Sequence, residues 1–336
     1  MLQGRDAMIV AAQAAAPEDV CPIWRGFAIR GFGVSASIQN AGSGSNNTVV
    51  TEAFDVPVAC RASARADFDG DGRSDVSVYR PSEGIWYFDR STAGFGAVRW
   101  GLAGDVPVPG DFDGDDKTDV AIFRPNDDGG SPDLYILRSS DSTFGFIPWG
   151  STGDIPVVAD HDGDGRSDAA IFRPSTGVFW VLRSIDGAPF TSRPFPGTIP
   201  VTGDFDGDGR SEFGVFSNGQ WFLSLSSSAH SSGLIENWGI NADLPVPADY
   251  DGDGRLDLAV FRPSDGTWYV RQSSGGNGYI RFGAAGDVPV PGDFDGDGRV
   301  DTAVYREGIW YINRSTAGIS IQQFGLASDL AVPNYY

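Results

Sequence analysis

A nine-residue acidic stretch recurs six times in this chain, and its residue types are those that bind a hard cation. The last copy, at 293–301, is DFDGDGRVD, with carboxylates at positions one, three, five and nine and glycines at four and six. Ca²⁺ takes about six to eight oxygen ligands, and an acidic loop with a glycine at its sharp turn supplies them. We therefore predict a Ca²⁺ loop. Positions one, three and five would bind through side chains, position seven through its carbonyl, and position nine with one or both carboxylate oxygens.

The spacing of the copies indicates an internal repeat. They begin at Asp67, Asp111, Asp160, Asp204, Asp249 and Asp293, which places them 44 to 49 residues apart. Periods of this length are typical of solenoids, propellers and other repeat arrays. A single closed array is therefore favoured over two ordinary domains.

The residues between the loops have the pattern of short strands. In the second copy, apolar segments lie at 106–109, 120–123, 134–137 and 144–150, separated by residues rich in Gly, Pro, Asp and Ser. Short runs of β-branched and aromatic residues with such boundaries predict strands. Four strands in each period are typical of a propeller blade.

The two ends of the chain suggest how the ring closes. Residues 329–333 (DLAVP) match 105–109 (DVPVP), but no loop follows, and the β-rich residues 22–54 belong to no loop-bearing repeat. Together with 326–336 they amount to one period. We predict an all-β, seven-bladed β-propeller with four-stranded blades over 22–336. The motif-bearing blades would run from about 55 to 325, and the closing blade would be shared by the N- and C-termini. A six-bladed ring is the alternative.

Residues 1–21 are interpreted as a leader. The apolar run at 7–12 and the small residues before Pro17 resemble the end of a secretory signal peptide, and a disordered leader is the alternative. Cys21 and Cys60 both precede the first loop and are compatible with one disulfide or with two separate thiols. No segment approaches the roughly 18 apolar residues of a membrane helix, so we expect no membrane insertion.

The negative charge of the chain comes mostly from the acidic loops. The net charge is -21, and the loops hold more than half of the 45 acidic residues. Six divalent cations would cancel more than half of that net charge. Because no basic stripe offsets the acid, nucleic acid is excluded as a partner. Weak Ca²⁺ sites fill outside the cell, so we expect a protein that is secreted or at the cell surface.

The segment GDVPVPGDFDGDGRVDTAVYREGIWYINRS, at 286–315, and its five relatives resemble the FG-GAP/VCBS repeats. That family includes the β-propeller of integrin alpha chains and many bacterial secreted proteins. The resemblance implies that each loop joins the first two strands of a blade and that about six Ca²⁺ ions lie on one face. Carried over by position, the metal-binding residues are Asp67, Asp69, Asp71, Arg73 and Asp75; Asp111, Asp113, Asp115, Lys117 and Asp119; Asp160, Asp162, Asp164, Arg166 and Asp168; Asp204, Asp206, Asp208, Arg210 and Glu212; Asp249, Asp251, Asp253, Arg255 and Asp257; and Asp293, Asp295, Asp297, Arg299 and Asp301.

Two copies depart from this pattern. Asp116 stands at position six of the second copy, where the others have glycine, and a side chain there disfavours a left-handed backbone. Glu212 replaces the closing Asp of the fourth copy, and its extra methylene changes its reach. We predict that these two sites are the weakest.

Aromatic and basic residues also recur, and each set has a structural and a functional interpretation. The repeated tryptophans could stack on sugars, but packing between blades is favoured; they are Trp86, Trp180, Trp221, Trp268 and Trp310 on third strands and Trp100, Trp149 and Trp238 on fourth strands. Four arginines follow the second strand: Arg80, Arg124, Arg173 and Arg262. They could clamp an acidic ligand, but we expect them to offset loop carboxylates or to stack on aromatic rings.

Catalytic residues are not apparent. His161 occupies loop position two, where the other copies have Phe or Tyr, and is expected to fill an aromatic position. His230 lies in a Ser-rich segment expected to be an exposed hairpin. No Ser-His-Asp or Cys-His arrangement follows from these residues. The acids outside the loops that we considered, Glu52, Glu83, Glu236 and Glu307, share no pattern, so enzymatic activity is unsupported.

The sequence therefore predicts a calcium-binding extracellular propeller that acts as a binding or adhesion module. We expect a monomer whose partner is an extracellular protein or a glycan. One adhesion surface would be the irregular insertion at 126–132. Two alternatives are a lectin, which needs exposed aromatics in equivalent pockets between blades, and a polysaccharide lyase or hydrolase, which needs acids that bind no metal.

Overall fold

The computed structural model describes residues 66–125 and 134–333, together with two strands at 37–40 and 48–51. The chain divides into two compact units, Met1–Ser63 and Ala64–Tyr336. In the first unit, β1 (Ser37–Asn40) and β2 (Thr48–Thr51) form a two-stranded antiparallel sheet. The predicted leader, both cysteines and the insertion at 126–132 lie outside the described residues.

The second unit is a propeller of six four-stranded antiparallel sheets, here called blades 1 to 6. Blade 1 contains β3 (Val76–Arg80), β4 (Ile85–Arg90), β5 (Gly94–Arg99) and β26 (Leu330–Val332). Blade 2 contains β6 (Val106–Pro107), β7 (Val120–Phe123), β8 (Leu134–Leu137) and β9 (Phe144–Ile147). Blade 3 contains β10 (Ile155–Pro156), β11 (Ala169–Arg173), β12 (Val178–Leu182) and β13 (Pro189–Thr191).

The remaining three blades follow the same order. Blade 4 contains β14 (Ile199–Gly203), β15 (Glu212–Ser217), β16 (Gln220–Ser224) and β17 (Gly233–Asn237). Blade 5 contains β18 (Leu244–Pro245), β19 (Leu258–Arg262), β20 (Thr267–Arg271) and β21 (Asn277–Arg281). Blade 6 contains β22 (Val288–Pro289), β23 (Thr302–Arg306), β24 (Ile309–Arg314) and β25 (Gly318–Gln323). A short 3-10 turn, Ser226–Ser228, follows β16.

The prediction of seven blades is wrong, because the C-terminal strand completes blade 1. Strand β26 pairs with β3, with Ala331 opposite Val78, so residues from both ends of the second unit share one blade. The segment that precedes a loop in the other repeats forms the innermost strand of a blade, and β26 takes that place before the first loop. The predicted contribution of 22–54 is also wrong for its described strands, since β1 and β2 form a separate sheet.

Burial decreases from the second strand of a blade to the fourth. All four residues of β7 are buried, those of β8 alternate between buried and half-buried, and those of β9 alternate between exposed and half-buried. Both faces of a second strand lie between neighbouring blades, which explains its continuous apolar sequence. Six apolar clusters each combine two adjacent blades; the cluster of blades 6 and 1 contains Trp310 and Val78.

The tryptophans confirm the packing interpretation with one exception. Trp86, Trp221, Trp268 and Trp310 are fully buried, and Trp100, Trp149 and Trp238 are half-buried. Trp180 is 36% exposed, because Phe179 occupies the buried position opposite Phe172 and turns Trp180 to the other face of β12. In the described residues, no helix has the length and apolarity that a membrane crossing requires.

Candidate metal centres

The six acidic stretches, here called loops 1 to 6, each precede the second strand of a blade. Loops 2 to 6 join that strand to the first strand of the same blade, whereas the first strand of blade 1 is the C-terminal β26. Loop 5, for example, lies between β18 and β19. The carboxylate at position one organises each turn. In loop 6, Asp293 accepts hydrogen bonds from the amides of Gly296 (2.7 Å) and Gly298 (2.8 Å). The corresponding amides at positions four and six donate to the carboxylate at position one in every loop.

Position six requires a left-handed backbone. Gly298 has φ 83°, and Asp116, its counterpart in loop 2, has φ 62°. The amide of Asp116 still donates to Asp111 (2.9 Å). Asp116 thus adopts the turn that we expected it to disfavour, at the conformational cost that a Cβ imposes.

The loops bring the predicted carboxylates together. In loop 4, Asp204, Asp206, Asp208 and Glu212 each offer one oxygen, and these oxygens all lie within 4.8 Å of one another. Comparable groups of three occur in loops 1, 2, 3 and 5, and a further cluster also occurs. The described part of the chain therefore contains about six acidic clusters that could bind metal ions. Glu212 belongs to its cluster despite its longer side chain, and the expected weakness of loops 2 and 4 stays a prediction.

In four loops, the carboxylate at position three gives the most direct indication of a cation site. In loops 1, 2, 4 and 6, its Oδ1 atom is buried and has no hydrogen-bond partner among the residues that the structure describes; the residues are Asp69, Asp113, Asp206 and Asp295. Buried polar atoms without a partner are rare because they lose their hydration without compensation. An anionic oxygen inside a carboxylate cluster is a suitable cation ligand, so the residues fit a bound metal ion.

Burial and mutual repulsion raise the pKa values of the inner carboxyls. The pKa of Asp75, at position nine, is raised to about 7, mainly by burial and also by repulsion from Asp69 and Asp67, against the opposing effect of hydrogen bonds from Ser91 and Phe68. Burial likewise raises the pKa of Asp111 to about 7 and that of Asp249 to about 6. Burial therefore makes the ionised form of these carboxyls less stable than that of an exposed carboxyl, and a nearby cation would favour it.

The hairpin between the third and fourth strands closes over each loop through a serine that sequence reasoning missed. In blade 5, the amide of Ser273 donates to Asp257 at position nine (2.7 Å), and its hydroxyl donates to Asp253 at position five (2.6 Å). The equivalent serines in the other blades make the same two bonds. Their recurrence 14 to 20 residues after position nine was the available sequence signal.

Adjacent loops are also joined to one another. The amide at position eight of each loop donates to the carbonyl at position one of the preceding loop, over 2.5 to 2.8 Å. The bond from Ser74 in loop 1 to Asp293 in loop 6 (2.7 Å) completes the circle. The six hydrogen bonds form a closed ring, here called the loop ring.

The arginines after the second strand stack on aromatic rings, as predicted, but they pair with a different acid. Arg262 lies over Tyr269, 4.1 Å from the ring centre. It forms two hydrogen bonds to the buried Asp243 (2.8 and 2.9 Å), which precedes β18 and belongs to no loop. The same pairing joins Arg80 to Asp329, Arg124 to Asp105, Arg173 to Asp154 and Arg306 to Asp287. The missed signal was the recurrence of this aspartate together with the arginine.

The histidines lie close together between blades 3 and 4. His161 is buried and stacks on Phe213 with 4.5 Å between ring centres, which confirms its aromatic position. Burial lowers the pKa of His161 to about 4. His230 is half-buried rather than exposed, because its ring also contacts Phe213 (5.0 Å).

Comparisons with known proteins agree with the repeat and the fold. A search of curated proteins finds no match. TolB from Acinetobacter baumannii is 11% identical, with a TM-score of 0.54 over 88% of this chain and 81% of that one, a likeness that concerns the fold alone. An Agrocybe aegerita lectin that recognises non-reducing terminal N-acetylglucosamine is 14% identical, with a TM-score of 0.47 over 76% of this chain and 89% of that one.

The sequence itself matches one family description. The model of the FG-GAP-like repeat matches residues 249–304, which extend from the start of loop 5 into β23. This segment contains the acidic loop, the buried second strand and the paired arginine described above. The chain therefore carries an FG-GAP-like repeat, identified over residues 249–304 of a six-bladed β-propeller.

Proposed function

We propose that the protein is a calcium-stabilised extracellular binding module, in which the six loops hold structural Ca²⁺ ions and the rigid propeller presents a surface to a protein or glycan partner. The observation that carries this proposal is the buried, unpartnered Oδ1 atom at position three of four loops. Bound Ca²⁺ would supply the positive charge that these oxygens lack.

The donor set favours Ca²⁺ over softer metals. Carboxylate and carbonyl oxygens suit hard cations, whereas zinc and copper sites are typically built with His or Cys. In every loop, the Oδ2 atom at position one accepts one amide hydrogen and keeps a second lone pair for a cation. The serine hairpins would hold the carboxylates of positions five and nine in place, as outer-shell hydrogen bonds do in other metal sites.

Calcium removal tests the structural role. Each filled site contributes about 2.7 kcal/mol when free Ca²⁺ is 100-fold above its dissociation constant, so we expect chelation to lower Tm by about 10 °C or more. Equal melting curves with Ca²⁺ and with chelator would reject the proposal. As a check on the site, Asp69→Asn should bind one Ca²⁺ fewer per chain, whereas the matched change Asp265→Asn, outside the loops, should not.

A glycan partner is the second candidate, favoured by an aromatic cluster where blades 4 and 5 meet. Tyr279 is 63% exposed and lies beside Tyr269 (5.6 Å between ring centres) and Trp238 (6.4 Å). Glu236 and Arg271 form an ion pair of 2.7 Å between the two blades. An exposed aromatic face beside charged hydrogen-bonding groups suits a sugar ring.

A glycan array with and without Ca²⁺, repeated with two variants, tests this candidate. Ile235 occupies the position equivalent to Tyr279 in blade 4 and is equally exposed, at 64%. Tyr279→Ala should remove binding to the recognised sugar, and Ile235→Ala should retain it. Equal binding by both variants, or no binding by the unmodified protein, would favour a protein partner instead.

A further inference from the structure

We infer that the six loops bind Ca²⁺ as a coupled ring, in which filling one loop strengthens binding in its two neighbours. This inference rests on the proposed function and concerns how its sites communicate. It is carried by contacts between loops, which a set of independent sites would not need.

The first contact is the backbone bond of the loop ring. In loop 4, the amide of Ser211, at position eight, donates to the carbonyl of Asp160, at position one of loop 3 (2.7 Å). The side chain of the same Asp160 accepts the amides of Gly163 and Gly165, which form the turn of loop 3. Asp160 therefore contacts the neighbouring loop through its backbone carbonyl and stabilises the turn of its own loop through its side chain.

The second contact joins position seven of one loop to position four of the preceding loop. The stem of Arg210 lies against Gly163 so closely that a Cβ atom on this glycine would be 3.0 Å from the Arg210 Cγ. The same arrangement places Lys117 against Gly70 and Arg255 against Gly207. It continues around the ring and closes with Arg73 against Gly296. Each basic side chain thus covers the turn that presents the neighbour's carboxylate at position one.

These contacts give a physical path for coupling. Position seven is predicted to bind the ion of its own loop through its carbonyl, and position eight follows directly. An ion in loop 4 would fix the backbone of Arg210 and Ser211. These two residues would then hold the turn of loop 3 in its binding geometry. Arg210 is in this sense a positioning residue for loop 3. Since coupling free energies are reciprocal, loop 3 must strengthen loop 4 equally.

Electrostatics alone predicts the opposite sign. An empty loop keeps an uncompensated negative charge, which attracts cations to the region and would strengthen binding in the adjacent loops. At about 0.15 M ionic strength, this attraction is screened over about 8 Å. The sign of the effect between neighbours therefore separates mechanical coupling from charge.

A site-resolved Ca²⁺ titration of the full chain by amide NMR tests the inference. The glycines at position six serve as reporters, since their amides donate to the carboxylate at position one. In Asp206→Asn, which disables loop 4, the midpoint Ca²⁺ concentrations of Gly165 in loop 3 and Gly254 in loop 5 should rise about five-fold. The midpoint of Gly72, in loop 1 across the ring, should stay unchanged. Unchanged or lower midpoints in loops 3 and 5 would overturn the inference, whereas the absence of any Ca²⁺ response in the unmodified protein would overturn the proposed function.

A second pair of variants isolates the contact at position seven. Arg210→Ala and Arg210→Met both remove the charge, but only Met keeps an apolar stem over Gly163. We expect the midpoint of loop 3 to be about five-fold higher in Arg210→Ala than in Arg210→Met. Equal midpoints would show that the side chain does not position the neighbouring loop.

Discussion

At position six of the loops, one backbone angle determines which residue fits. The five glycines have φ between 83° and 87°, and Asp116 in loop 2 has φ 62°. A Cβ atom in this left-handed region costs about 1–2 kcal/mol, less for Asp and Asn than for other residues. The sequence predicted the strain, because five glycines and one Asp occupy the same repeat position.

Asp116→Gly should therefore stabilise the protein by up to about 1 kcal/mol, since the relief of strain outweighs the extra entropy of glycine in the unfolded chain. Asp116→Ala is the matched control, because it removes the same carboxylate and keeps the Cβ atom. Chemical denaturation should place the Gly variant above the Ala variant. Equal stabilities would mean that charge, rather than backbone angle, governs this position.

Within the blades, the paired arginine and aspartate fasten the second strand to the segment before the innermost strand. Asp243 is fully buried, and its carboxylate accepts hydrogen bonds from the side chain of Arg262 and from the amide of Ile240. Blade 4 is the exception, with Thr198 and Ser217 at the equivalent positions. Blade 4 thus lacks both the aspartate and the arginine. This is expected, because either residue alone would leave a buried charge without its partner.

Asp243→Thr should destabilise the protein by about 2–3 kcal/mol, because breaking a buried ion pair leaves one charge without its partner. The double variant Asp243→Thr with Arg262→Ser reproduces the combination of blade 4 and should be more stable than the single variant. Urea denaturation of the four members of this cycle measures the coupling. If the two substitutions simply add, the pair makes no specific contribution.

For the whole molecule, the raised pKa values predict opposite pH responses with and without calcium. Burial raises the pKa of Asp75, Asp111 and Asp301 to about 7, above the ordinary value of 3.8. The folded, metal-free protein therefore binds more protons than the unfolded chain between about pH 4 and 7. Its stability is greatest below this interval and decreases as pH rises through it.

Lowering the pH from 8 to 5.5 should raise Tm in chelator, because each extra proton bound by the folded state adds about 1.4 kcal/mol per pH unit. With Ca²⁺ present, Tm should fall over the same interval, because protons compete with the ion for the carboxylates. Scanning calorimetry at matched ionic strength measures both. A fall in Tm in both conditions would contradict the raised pKa values.

Local pattern was sufficient for the features that lie within one repeat. The period, the short strands that follow each loop and the clustering of the loop carboxylates depend on neighbours in sequence. Strands β7 (Val120–Phe123) and β8 (Leu134–Leu137) were predicted to the residue. Alternation of apolar residues and glycines at fixed positions encodes such elements directly.

The tertiary structure alone decided the features that depend on distant pairing. The C-terminal strand fits any blade that lacks an innermost strand, so the repeats were compatible with six or seven blades until β26 paired with β3. The loop ring and the serine hairpins likewise arise from contacts between segments that are separate in sequence. A repeat specifies its own strands, but hydrogen bonding between the first and last of them determines where the ring closes.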